Sequence, residues 1–374
     1  MSDPAVESGR MTALRLWLLA ATILLSSCAG APPAAPPISS TNARAVIDRS
    51  LPHTLSDRSG WLNDIYTAFT VLTVQPSHEN VCAVVSVIQQ ESGFQVNPVI
   101  PGLGGIAAKE IDRRAAHAHV PLIIVHGLLD LKSPGGRTYA QRIERARTEK
   151  DLSDIYEDFI AGVPLGRTLF DDKNPIRTRG PMQVNVAFAE QFGSVVPYPY
   201  PVTRSIPDEV FTRRGSIYFG VAHLLDYRAA YDDYVFRFAD YNAGRYASRN
   251  AAFQHAVTVA SGIALDDDGA LLPPAEDANE PGATEMALRT LAARLGLNDA
   301  AIHAGLEQAK HESFEQSALY VRVFELADEA AGTPVPRALL PSITLQGPKI
   351  KRHLTTEWYA RRVDQRFKRC LEAS

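Results

Sequence analysis

Apolar residues recur along most of this chain at steps of three and four, the spacing that lays them on one face of an α-helix. Between Ser77 and Gly93 the stripe is Val81, Val84, Val85 and Ile88. Ser77 is placed to cap that helix and Gly93 to stop it. An amphipathic segment, Trp61 to Leu72, precedes it, and Pro76-Ser77 separates the two. Further helices are predicted over Ile106 to Ala118, Pro121 to Leu131, Arg137 to Glu149, Asp151 to Ala161, Pro181 to Phe192, Pro207 to Tyr227 and Val235 to Val259. An acidic, Pro-containing stretch, Asp266 to Gly282, reads as a surface loop. Beyond it Met286 to Leu297, Ala300 to His311 and Ser313 to Ala331 return to the helical period, and a Pro-rich connector, Pro334 to Pro348, leads to a last helix around Glu357 to Cys370. Strand-like alternation is scarce and no fixed-period repeat is present, so the expected fold class is mainly α.

Composition adds little to this until the N-terminus is considered. The 374 residues are 45% hydrophobic and 21% charged, with a formal charge of −4, the profile of a globular chain without a basic field for nucleic acid. Arg10 and Arg15 precede an apolar run, Leu16 to Leu25, too short to be a comfortable permanent span; Leu25-Ser26-Ser27-Cys28 follows at once. This is the pattern of an export signal, and its end resembles the bacterial lipobox. The resemblance implies cleavage after residue 27 and lipidation of Cys28, and Ala29 in the next position implies an outer-membrane destination facing the periplasm. Residues 1–27 are then a lipoprotein signal peptide, and 28–60 the anchor and tether, of which Ala29 to Pro37 is small and Pro-rich. Two further cysteines remain, Cys82 and Cys370; an oxidising compartment favours a disulfide between them, with two separate buried thiols as the alternative.

Candidate chemistry centres on Glu91. It ends an apolar helix and precedes Ser92-Gly93-Phe94. The negative end of the helix dipole and apolar neighbours both favour its protonated form, as a group that must protonate a glycosidic oxygen requires. An ordinary surface Glu at a helix end reads the same way, and what separates the two is the order of later segments. Gly180-Pro181-Met182-Gln183-Val184 comes first, then Gly215-Ser216-Ile217-Tyr218-Phe219-Gly220-Val221 with Leu224-Leu225, then Ala239-Asp240-Tyr241-Asn242-Ala243-Gly244. Together with the Glu-Ser helix end they resemble the soluble-type lytic transglycosylases of the lysozyme-like superfamily.

The resemblance, which covers Ser77 to about Asn250, implies a peptidoglycan-cleaving lyase without a cofactor. Glu91 would act as general acid and then base, opening the MurNAc-GlcNAc bond and leaving anhydro-muramyl ends. Ser92, Met182, Gln183, Tyr241 and Asn242 would bind or line the substrate. The chain departs from that pattern in Pro181, where the family has Leu, and in about eighty residues, Pro98 to Arg179, inserted before the Met-Gln segment. The expected architecture is a lysozyme-like domain over 61–262 with a helical insertion at about 98–179, then an acidic loop and a helical C-terminal extension packed on the core over 263–374. The whole chain also resembles an uncharacterised family of proteobacterial lipoproteins. Asp240 keeps a hydrolysing muramidase open, since such enzymes pair two carboxyls; a non-catalytic peptidoglycan-binding lipoprotein is the alternative from another class. His117 and His119 diverge on a helix, Asp266-Asp267-Asp268-Gly269 lacks the spacing of a calcium loop, and His311-Glu312-Ser313-Phe314 has no Met-Gln segment after it. No metal site is expected.

Overall fold

The computed structural model describes residues 39–162, 174–273, 280–345 and 352–373. The expected signal peptide, Cys28 and the segment Ala29 to Pro37 lie outside the described residues, and the account below concerns the unit from Ile38 to Ser374. It is built of helices: α1 (Ser40–Ser50), α2 (Arg58–Val71), α3 (His78–Glu91), then the inserted α4 (Leu103–His117), α5 (Leu122–Leu129), α6 (Tyr139–Arg145) and α7 (Glu149–Gly162). After a two-stranded antiparallel ladder, Thr178–Arg179 with Val184–Asn185, come α8 (Val186–Val195), α9 (Ile206–Phe211), α10 (Arg213–Leu225), α11 (Tyr234–Ala243) and α12 (Ala247–Ser261). The rest is α13 (Ala283–Thr290), α14 (Ala292–Leu295), α15 (Asp299–Glu307), two 3-10 turns, α16 (Ala318–Ala331) and α17 (Thr356–Ala373).

The mainly α class stands, and the boundaries shift where the backbone turns left-handed or a polar side chain restarts a helix. Pro181 to Phe192 is not one helix. Gly180 (φ +71°) and Gln183 (φ +50°) form a tight turn between the two short strands, and α8 begins only at Val186, capped by Asn185. Such backbone angles are incompatible with helix. Gly180 is required there, because a Cβ would lie 2.1 Å from the Val210 carbonyl oxygen. The stretch Pro207 to Tyr227 divides at Thr212, whose hydroxyl caps α10, and Val235 to Val259 divides at Gly244.

Apolar side chains gather in three clusters. The first joins α1, α2, α3, α10 and α11 with α17; Ile47, Trp61, Phe69, Val84, Ile88, Phe219, Phe238 and Val363 are buried in it. The first core takes in α1, which was read as tether, and also α17, from the extension expected to pack on the core. The second cluster packs α12 against α13 to α16 around Phe253, Leu288, Phe314 and Phe324. Arg249 stands between them, fully buried, donating to the carbonyls of Ala309 and His311 at 2.5 and 3.0 Å while its guanidinium covers the Tyr246 ring. A small third cluster, Tyr139, Ile143, Ala146 and Ile155, holds the insertion together.

Helix α17 runs antiparallel to α3. Tyr359, early in α17, reaches Glu91 at the end of α3, whereas Cys370, late in α17, is bonded to Cys82 near the start of α3. The disulfide spans 288 positions of sequence. Closing so long a loop restricts the unfolded chain, a contribution of about 2–5 kcal/mol. Cys370→Ser should therefore lower the thermal unfolding midpoint, and reductant should bring the wild type down to the level of the variant. An unchanged midpoint would show that α17 is held by packing alone.

Candidate active site

Glu91 is the last residue of α3, whose residues from Val81 to Ile88 are all buried. The Ser77 side chain accepts from the Asn80 amide and fixes the helix start, and Gly93 and Phe94, both left-handed, turn the chain away directly after it. Phe94 then packs edge-on against Trp61 with centroids 5.1 Å apart. The Glu91 side chain is half-buried at the edge of the first core. Burial pushes its carboxyl up to about 7; the Tyr359 hydroxyl, donating to Oε1 at 2.5 Å, holds it back, and the Glu149 carboxylate raises it further. A carboxyl near 7 is part protonated at neutral pH and can both give and take a proton there.

Two tyrosines close the back of this carboxyl. Tyr359 and Tyr241 are both buried, and the negative charge of Glu91 raises both phenols beyond what burial does. They remain neutral donors. The Tyr241 hydroxyl donates to the Met182 carbonyl at 2.7 Å, which couples α11 to the Gly180–Gln183 turn. That turn is pinned again by the Ser216 hydroxyl, which accepts from the Met182 amide at 3.0 Å. Gln183, forced outward by its left-handed backbone, donates to Glu149 Oε2 at 3.2 Å and accepts from the Thr178 hydroxyl at 3.0 Å. Glu149 opens α7, so the insertion sends a carboxylate to the same place.

The residues singled out from the sequence thus separate into three groups. Glu91, Tyr241 and Gln183 belong to one connected set. Asn242 is exposed at its edge, its Oδ1 accepting from the buried Thr356 hydroxyl at 2.8 Å. The Met182 side chain does not line a cleft: it is fully buried against Gly220, where a Cβ would come within 2.4 Å of its sulfur, and only its backbone faces the set. Ser92 is buried too, and its hydroxyl donates back to the Ile88 carbonyl at 3.1 Å instead of toward Glu91.

Asp240 has a structural task. Its carboxylate accepts from the Tyr227 hydroxyl at 2.9 Å, the Tyr231 hydroxyl, and the amides of Tyr246 and Ser248 at 3.1 and 2.7 Å, so it caps the start of α12. Tyr359, Thr356 and Glu149 were not foreseen. The first two come from a helix more than 260 positions beyond Glu91, with no local signal to connect them; the helical period of α17 alone could show which of its residues face inward.

His223 lies behind Tyr241, its Nε2 3.3 Å from the Tyr241 carbonyl oxygen, and burial together with the Arg245 charge lowers it to about 3. It stays neutral and packs between Phe188 and Tyr241. For a metal, His78, Cys82 and Cys370 place ligand atoms within 4.8 Å of one another, but both sulfurs are used in the disulfide. His117 and His119 are exposed around the end of α4. The Glu312-Ser313 pair opens a 3-10 turn in the second cluster.

Comparison with known proteins places this arrangement in a family. Residues 54–373 match the family described as Protein of unknown function (DUF1615). The chain is 47% identical over 367 residues to the Uncharacterized protein YaiW of Escherichia coli (strain K12), covering 97% of this chain and 99% of that protein. No solved structure matches the chain. The match takes in α3, the insertion, the Tyr-Asn-Ala-Gly turn and α17 alike, so every element that supplies the Glu91 set lies inside it, and the chain belongs to the DUF1615 family.

Proposed function

We propose that this protein is a peptidoglycan lytic transglycosylase with a lysozyme-like core, in which Glu91 is the general acid and then base. The observation that carries the reading is a single carboxyl near pKa 7, half-buried, backed by Tyr359 and Tyr241, at the end of the helix that the ordered motifs single out. In the first step the protonated Glu91 gives its proton to the glycosidic oxygen as the bond to the muramyl carbon breaks. In the second the Glu91 carboxylate takes the proton of the muramyl C6 hydroxyl as that oxygen closes on the same carbon, giving an anhydro-muramyl end. Neutral Tyr359 donates to the carboxylate between the two steps. Glycan strands are the substrate, and a lipid anchor at Cys28 would hold the enzyme at the outer membrane, facing the periplasm.

Glu149 favours a second reading, a hydrolysing muramidase in which this carboxylate, brought in by the insertion, activates a water. Asp240 does not serve that role, since its carboxylate is occupied at the start of α12.

Purified wild-type protein should release soluble fragments with anhydro-muramyl ends from isolated sacculi, and Glu91→Gln should lower the rate about 100- to 10,000-fold, the usual scale of lost acid–base catalysis. Reducing muramic ends alone would replace the transglycosylase with the muramidase; binding without release by either protein would leave a binding lipoprotein.

The protonated form does the first step, so activity should fall as pH rises through about 7. Tyr359→Phe removes a hydrogen bond that lowers the Glu91 pKa, and should move this descending limb to higher pH. Glu149→Gln removes a charge that raises it, and should move the limb to lower pH while anhydro ends persist. Loss of turnover at every pH in Glu149→Gln, with reducing ends from the wild type, would favour the second reading.

A further inference from the structure

Among the described residues, α5 is unlike every other helix. It reads Leu-Ile-Ile-Val-His-Gly-Leu-Leu, and none of its residues is buried. Val120, Leu122, Ile123, Ile124, Leu128 and Leu131 are exposed within twelve positions, Ile123 at 82%. Soluble surfaces scatter such side chains singly, and a contiguous group marks a surface that something covers. The helix is held to the insertion by the partial burial of Val125 and Leu129 and by His126, whose Nε2 lies 2.8 Å from Asp112 Oδ1 on α4. It carries no acidic residue. On neighbouring α4, Arg113 and Arg114 both pair with Glu110.

We infer that α5 lies flat in the surface of the lipid bilayer to which the chain is anchored. This rests on the lipidation of Cys28 in the proposed function. Ten residues separate Cys28 from Ser39, the first described residue, and an extended chain of that length spans at most about 35 Å. The folded unit is thereby kept within one domain diameter of lipid. With eight residues, α5 is too short to cross a bilayer, and no described helix is long and apolar enough to do so. A short helix packed against a folded unit on one side can bury its exposed apolar side at the bilayer surface, with Ile123 and Ile124 among the acyl chains. That contact also fixes the insertion, and with it Glu149, relative to the membrane plane.

The test uses the mature lipoprotein in vesicles of phosphatidylethanolamine and phosphatidylglycerol. Its three cysteines are two in the disulfide and one at the anchor, so Ile123→Cys supplies a single reactive thiol for an environment-sensitive nitrobenzoxadiazole probe. Lys109→Cys on α4 serves as the control. The expected result is a blue-shifted emission at position 123, quenched by nitroxide-labelled lipid, with a water-like, unquenched probe at position 109. Placing the probe at Leu128→Cys and adding Ile123→Glu with Ile124→Glu should abolish the shift while circular dichroism stays that of the wild type. A water-like probe at 123 overturns the inference. So does a blue shift that grows with protein concentration and ignores the nitroxide lipid, which would assign the face to a second copy of the chain. The mass of the Cys28 peptide is measured on the same sample: an unlipidated Cys28 defeats the anchor, and a lipidated Cys28 with a water-like probe defeats the docking of α5 alone.

Discussion

The site depends on one contact, that of α17 against α3. Burying a carboxyl without a partner is costly, and Glu91 is tolerated at the edge of the first core because the Tyr359 hydroxyl donates to it. That hydroxyl is in place only while α17 lies antiparallel along α3, which the buried Val363 and Phe367 and the Cys82–Cys370 bond secure. Thr356, from the same helix, holds Asn242 at the outer edge of the set. A C-terminal helix that would otherwise be an appendage thus sets the protonation of the candidate catalytic group and the position of a candidate sugar contact.

Opposing effects of comparable size act on Glu91. Desolvation raises its pKa and hydrogen-bond donors lower it. One tyrosine donor against burial and one neighbouring carboxylate leaves it near 7. Asp240 shows the contrast within the same fold. Burial pushes it up as well, but two tyrosine hydroxyls and two backbone amides satisfy its oxygens, and its role is to shape the turn behind Tyr241. The two carboxyls differ in the number of donors each has met.

The insertion takes part in both halves of this picture. Through Glu149 it touches the Gly180–Gln183 turn and the electrostatics of Glu91; through α5 it presents an uncovered apolar face. Its own cluster of four buried residues, Tyr139, Ile143, Ala146 and Ile155, is small, so its attachment to the first core at the start of α7 matters for where Glu149 sits.

Much was legible in the residues alone, because it was local. The three-and-four spacing of Val81, Val84, Val85 and Ile88 with Ser77 and Gly93 at its ends defined the helix that delivers Glu91, and the helical character of the insertion followed from the same period. The order of the Gly-Pro-Met-Gln and Tyr-Asn-Ala-Gly segments pointed to Tyr241 and Gln183, which the fold links to Glu91. Local pattern failed where a backbone angle mattered, as at Gly180 and Gln183, and where side-chain identity did not reveal direction, as for Met182, which turns into the core, and Ser92, which bonds its own helix. Tertiary structure alone decided that Tyr359 and Glu149, 268 and 58 positions from Glu91, would face the same carboxyl, because periodicity tells which face of a helix is apolar but not which other helix that face will meet.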